Sequence, residues 1–150
     1  MKINYKMIFA SMKCHLNLKS NIERKFYGFD SFDDGFKYFV EEDRHNFFKE
    51  GDFISSYNRV KKRFSNFNNV RLIKGYFEET VKDKNVNEMF DNETCAIIFI
   101  DCDLMNPSII ALEFIKPILQ IGSIIILDDY WSYKANPSLG VAGAFNKFLN

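Results

Sequence analysis

No apolar run in the sequence approaches the roughly 20 residues that span a bilayer, and Met1 to Lys6 lead into no signal-peptide core with a small-residue cleavage site. Cysteine is sparse. Cys14, Cys95 and Cys102 are scattered and odd in number, which argues against a disulfide framework, and no CxxC spacing points to zinc. A reducing, cytoplasmic setting is the expectation, with no membrane partner. Charge of neither sign is in surplus: Lys plus Arg and Asp plus Glu each total 20. The chain therefore has no basic excess for nucleic acid and no acidic tail. There is no repeat and no linker rich in Pro, Gly or Ser, so residues 1–150 read as one domain. Three signature turns are also missing: the G-x-S-x-G elbow, the G-x-x-x-x-G-K phosphate loop and the G-x-G-x-x-G dinucleotide turn. Their absence counts against hydrolase, kinase and nicotinamide-dependent dehydrogenase readings.

What is present alternates in type. Tyr5, Ile8, Phe9, Met12 and Leu16 recur at helical spacing, so the first twenty residues predict an amphipathic helix. Residues 25–29 read as a short strand ending at Asp30. Residues 31–53 are irregular and rich in aromatics and acids, with one helical turn expected near Phe36–Glu42. A helix is expected over Ser55–Phe64, a strand over Val70–Ile73 closed by Gly75, and a helix over Glu78–Phe90. Cys95–Ile100 and Ser123–Leu127 are continuous apolar runs, the pattern of strands buried on both faces in a parallel sheet. Between them Ile109, Leu112, Ile115 and Leu119 lie at helix spacing over 108–119, and a last helix covers 141–149. Strand, helix and strand form a right-handed βαβ unit. The whole order predicts a doubly wound α/β sheet, Rossmann-like in class.

In such sheets ligands bind beyond the carboxyl ends of the strands. Here the strands end at Asp30, at Gly75, at Asp101 with Asp103 close behind, and at Asp128-Asp129. Asp101, Asp128 and Asp129 from two neighbouring strand ends would repel one another unless a hard divalent cation such as Mg²⁺ sat among them. The plainer alternative is that Asp128 caps the next segment and Asp129 faces water. Asp30 has two readings as well: an acid accepting hydrogen bonds from ribose hydroxyls, or an Asp that starts a turn before Ser31. His15 and His45 sit among polar neighbours and read as surface side chains.

Four motifs occur in order: Tyr27-Gly28-Phe29-Asp30-Ser31-Phe32, Gly75-Tyr76-Phe77-Glu78-Glu79-Thr80, Ile100-Asp101-Cys102-Asp103-Leu104 and Asp128-Asp129-Tyr130. Together with Gly51-Asp52-Phe53, Ser55-Ser56, Leu139-Gly140-Val141 and Ala144-Phe145, they resemble the macrocin O-methyltransferase family, over nearly the whole chain. Members methylate sugar hydroxyls of natural products and related glycans. The resemblance implies a class I methyltransferase fold with S-adenosylmethionine across the strand ends. Asp30 would hold its ribose, with Ser31 and Phe32 beside it, and Gly75, Tyr76 and Phe77 would lie near the adenine. Asp101, Asp128 and Asp129 match the family's metal carboxylates, for Mg²⁺, and Asp101 would double as general base for the acceptor hydroxyl.

The sequence departs from that pattern in two ways. Met105 stands where the family tends to have tyrosine. The opening strand and its glycine-rich turn have no counterpart, so the expectation is an incomplete sheet that lacks its central strand and also the final strand pair. An exposed sheet edge would favour a partner chain or a homo-oligomer. Two other readings stand beside the methyltransferase: a non-catalytic fragment or partner-dependent module, and a glycosyltransferase whose DxD is Asp101-Cys102-Asp103. The acceptor is a small-molecule or glycan hydroxyl under the first reading. The aromatics of 26–53 and of Tyr130–Tyr133 would form a lid or acceptor wall, or equally core.

Overall fold

The computed structural model describes residues 9–11, 25–44 and 48–150. Among these, five strands form one sheet in the order β3-β2-β1-β4-β5. They are β1 (Phe9–Ser11), β2 (Phe26–Asp30), β3 (Val70–Lys74), β4 (Cys95–Ile100) and β5 (Leu119–Leu127). The pairs β2/β3 and β4/β5 are parallel, whereas β1 runs antiparallel to both β2 and β4. Strands β2, β3, β4 and β5 thus share one direction, and all four carboxyl ends reach the same edge of the sheet. The α/β class and its parallel strand pairs follow the expectation from the sequence.

The centre of the sheet departs from that expectation. Phe9–Ser11 is not helical. It is a three-residue strand in the position expected to be empty, with Ala10 opposite both Tyr27 and Ile98. The physical reason is pairing: inner edges of β2 and β4 carry backbone donors and acceptors that need partners, and this outweighs a weak local helical period. The rest of the expected first helix lies outside the described residues, as do His15, His45 and Cys14.

Several helices are shorter than the periods expected for them. Helix α1 (Tyr57–Arg63) starts after Ser56, whose hydroxyl accepts from the Arg59 N–H at 3.4 Å. The segment expected as one helix over 78–90 is two short ones, α2 (Phe77–Thr80) and α3 (Val86–Met89). Asp83 in the left-handed region breaks them apart, and Asn85 recaps the second by accepting from Asn87 N–H. The helical turn expected at 36–42 falls instead at Phe32–Asp34 and Glu41–Asp43, both 3₁₀. Helix α4 (Met105–Ile115) joins β4 to β5 and packs on α5 (Gly140–Leu149).

One face of the sheet holds the core. Tyr27, Phe29, Ile98 and Ile100 meet Phe90, Leu112, Phe114, Ile115 and Ala144. Phe90 is the joint: its ring centroid lies 4.5 Å from Tyr27, 6.3 Å from Phe29 and 5.8 Å from Phe114. On β5, which was expected to be buried on both faces, Ile124 and Ile126 are 55% and 45% exposed. The apolar run was correctly a strand, but among the described residues helices cover only one of its faces. Its start is also irregular, since Cys95 pairs with Leu119 while Ile97 already pairs with Ile124.

Candidate active site

A cleft of about 640 Å³, part of it open to solvent, lies along the shared carboxyl edge. Its lining draws on the ends of β2, β3 and β4 and the turns that follow: Asp30 and Ser31, Gly75 to Glu78, Asp101 and Cys102, and then Leu104, Asn106 and Pro107 at the start of α4. Gly35, Phe36, Lys37, Phe39, Asp43 and Phe53 from the segment after β2 complete it.

Asp30 is 5% exposed at the end of β2. Its Oδ1 accepts the Phe32 N–H at 2.8 Å, and its carbonyl accepts the Gly75 N–H at 3.0 Å. The side chain therefore does start a turn, the plainer of its two readings, and the same carboxylate also lines the cleft. Ser31 Oγ donates to the Gly35 carbonyl at 2.7 Å, which closes that turn. Phe32, next in the chain, is fully buried against Tyr57, ring centroids 5.1 Å apart, and does not itself line the cleft. Its φ of 53° is unusual for a bulky residue, and the bond to Asp30 holds it there.

Gly75 turns the chain after β3 at φ +135°, a conformation open in practice to glycine alone. Tyr76 then lies along the cleft, its hydroxyl donating to the Asp34 carbonyl at 3.1 Å and its ring 5.1 Å from Phe39. The Lys37 ammonium sits 4.8 Å from the Phe39 ring and 5.5 Å from the Tyr76 ring. Lys74 bridges to Asp33 at 3.0 Å and Asp34 at 3.5 Å, so the turn after β2 is fastened to the end of β3.

At the ends of β4 and β5 the structure gathers Asp101, Asp103 and Asp129, each with a carboxylate oxygen within 4.8 Å of the others. Asp101 is half-buried and Asp103 buried. Asp128 stands apart from this trio. It is exposed, its N–H continues the ladder to the Ile100 carbonyl at 2.9 Å, and its Oδ1 accepts the Asp129 N–H at 3.1 Å. Asp103 and Asp129 both have φ of 53°. Aspartate tolerates that left-handed region better than most residues, and strained positions of this kind cluster at working sites. Three hard oxygen donors of this kind fit a divalent cation such as Mg²⁺.

Sequence reasoning singled out neither Asp43 nor the role of Asn106. Asp43 is 8% exposed and accepts the N–H groups of Met105 and Asn106, each at 3.0 Å. Asn106 Nδ2 donates to Glu78 Oε1 at 2.7 Å. Burial pushes both the Asp43 and the Glu78 carboxyl above the usual carboxylate range, and in Asp43 the two backbone donors work against that rise. No sequence motif marks such a contact, since it joins residues 62 and 63 positions apart. Burial likewise raises the Tyr133 phenol, with Asp43 and Asp129 adding to the rise.

An α/β sheet with four co-directional strands, whose carboxyl ends frame a cleft with an acidic cluster beside it, has the architecture of a Rossmann-like methyltransferase. Residues 6–147 match the family described as macrocin O-methyltransferase (TylF), and the chain belongs to that family. Among solved structures it is similar to the calicheamicin methyltransferase CalS11, with 27% identity and a TM-score of 0.62, over 82% of this chain and 51% of that one. It is also similar in fold to the O-methyltransferase NovP, with 21% identity and a TM-score of 0.58, over 81% of this chain and 50% of that one. The chain thus spans about half the length of these structures. A comparison with curated protein sequences gives no significant match.

Proposed function

We propose that the chain binds S-adenosylmethionine in the cleft at the strand ends and moves its methyl group to a hydroxyl of a sugar, glycan or other natural product. The observation that carries this reading is the convergence, in one cavity, of Asp30, the Gly75–Phe77 turn and Asp101, in a chain of a methyltransferase family. Asp30 would accept hydrogen bonds from the ribose hydroxyls, and Tyr76 and Phe77 would flank the adenine. The metal carboxylates would be Asp101 and Asp129, joined by Asp103 from the geometry or by Asp128 from the family pattern. A divalent cation bound there would orient the acceptor hydroxyl and lower its pKa. Asp101 would take the hydroxyl proton. The oxygen then forms its bond to the methyl carbon as the carbon–sulfur bond breaks, and sulfur keeps the electron pair. Holding both reactants in line supplies much of the rate. The family match favours methyl transfer over the glycosyltransferase reading of Asp101-Cys102-Asp103.

Calorimetric titration of the folded chain with S-adenosylmethionine, with and without Mg²⁺, tests the proposal. Saturable micromolar binding is expected, and Asp30→Asn should weaken it at least tenfold. The asparagine keeps an oxygen for the Phe32 N–H while losing the charge, so a folding defect and a binding defect are separable. A cooperatively folded chain that takes up no cofactor would sink the reading and leave a non-catalytic domain.

A further inference from the structure

Helix α4 begins without a capping side chain of its own. Its N-cap is Leu104, which makes no side-chain cap bond, so the first N–H groups of this 11-residue helix need partners from elsewhere. Asp43 supplies them from a distant part of the chain: Oδ1 accepts from Met105 N–H and Oδ2 from Asn106 N–H, both at 3.0 Å. An anion at a helix amino end is favoured by the helix dipole, and charge-assisted bonds to backbone N–H are strong. The same turn reaches a third segment, because Asn106 donates to Glu78 on α2. Asp43, Glu78 and Asn106 all line the cleft. One joint therefore ties together the segment after β2, the turn after β3 and the turn after β4 that carries Asp101 and Asp103.

A surface cap would stabilise α4 without burying a carboxylate, and burying one is costly. What the buried position adds is a fixed distance between the cleft walls. We propose that Asp43 is a positioning residue: it holds residues 35–44 and 48–53 against the amino end of α4 and so sets the width of the cleft for its ligand. The ligand part of this inference rests on the S-adenosylmethionine reading; the holding part does not. Its elements are local. The Phe36 N–H donates to the Asp52 carbonyl and the Gly51 N–H to the Phe36 carbonyl, each at 2.8 Å, so the segment is bonded within itself; the Phe39–Tyr76 ring contact ties it to the turn after β3, and Asp43 ties it to α4.

Amide hydrogen exchange on Asp43→Asn and Asp43→Ala, together with cofactor titration, tests it. Asparagine keeps one of the two acceptor oxygens, so its effect should be the smaller. In Asp43→Ala, exchange at Met105, Asn106, Phe36 and Gly51 should quicken at least tenfold while Ile98 and Ile100 in β4 stay protected. S-adenosylmethionine affinity of the folded variant should drop at least tenfold, with partial retention in Asp43→Asn. A merely stabilising cap would lower the melting temperature and leave the folded protein's affinity unchanged. Unchanged exchange at Phe36 and Gly51 overturns the holding role, whether or not cofactor binds. Faster exchange with wild-type affinity overturns the positioning role alone. A wild-type chain that binds no cofactor rejects the ligand part with the cofactor reading, and exchange still decides whether Asp43 holds the segment.

Discussion

At Gly75 the backbone runs at φ +135°, and a Cβ there would stand 2.7 Å from Thr80 Cγ2. Both the conformation and the contact penalise any side chain, and such positions cost on the order of 1–3 kcal/mol when forced on a non-glycine residue. Gly75→Ala should therefore lower unfolding free energy by about 1–3 kcal/mol in urea titrations, with a matching loss of S-adenosylmethionine affinity if the turn shapes the cleft. Cys95 makes a second prediction at this scale. It is fully buried, and desolvation pushes its thiol up to about 11. Because the thiolate is the reactive form, iodoacetamide at pH 7.5 should leave Cys95 unlabelled in the folded chain and label it in denaturant, as peptide mass mapping would show. Single residues were also the part of the site most legible in the sequence. Strand-terminal acids and a glycine closing a strand are local signals, so Asp30, Gly75, Asp101, Asp128 and Asp129 could be singled out from spacing, but spacing could not tell that Asp103 rather than Asp128 meets Asp101 and Asp129. Asp43 could not, because its partners are backbone amides on a helix it meets only in the folded chain.

Elements were legible where a long apolar run or a strong period identified them, as for β4, α4 and α5. They were misread where tertiary pairing decides. Phe9–Ser11 has a helical period around it and is nonetheless a strand, because β2 and β4 both offer it a ladder. The 78–90 segment has apolar residues at helical spacing but carries Lys82-Asp83-Lys84-Asn85, and the left-handed Asp83 splits it. What fixes the second half in place is Phe90, fully buried between β2 and α4 and touching Tyr27, Phe29 and Phe114. Truncating such a side chain removes its burial and leaves a cavity. Phe90→Ala should cost about 3–5 kcal/mol, a large part of the roughly 5–15 kcal/mol of a typical domain. Phe90→Leu should cost clearly less, and chemical denaturation of both would check the order.

For the whole molecule, net charge near zero hides two groups of carboxylates that pull stability in opposite directions with pH. Asp33 and Asp91 are held below the usual aspartate value, first by the hydrogen bonds from Lys74 and Lys25. Between their folded values and the ordinary value of about 3.9, the unfolded chain binds more protons, so stability falls as pH falls. Asp43 and Glu78 are raised by burial. Above the ordinary carboxylate range and up to their folded values, the folded chain binds more protons, so stability falls as pH rises. The two limbs together place the optimum close to the ordinary carboxylate values of about 4. Urea midpoints measured from pH 3 to 8 should trace that optimum. Salt should flatten the lower limb, since the Asp33–Lys74 and Asp91–Lys25 pairs reach solvent and are screened. Asp43→Asn and Glu78→Gln should flatten the upper limb and leave the lower limb in place. Asp33→Asn and Asp91→Asn should do the reverse, and an upper limb unaffected by Asp43→Asn would mean that the buried carboxylate at the amino end of α4 is not the group that titrates there.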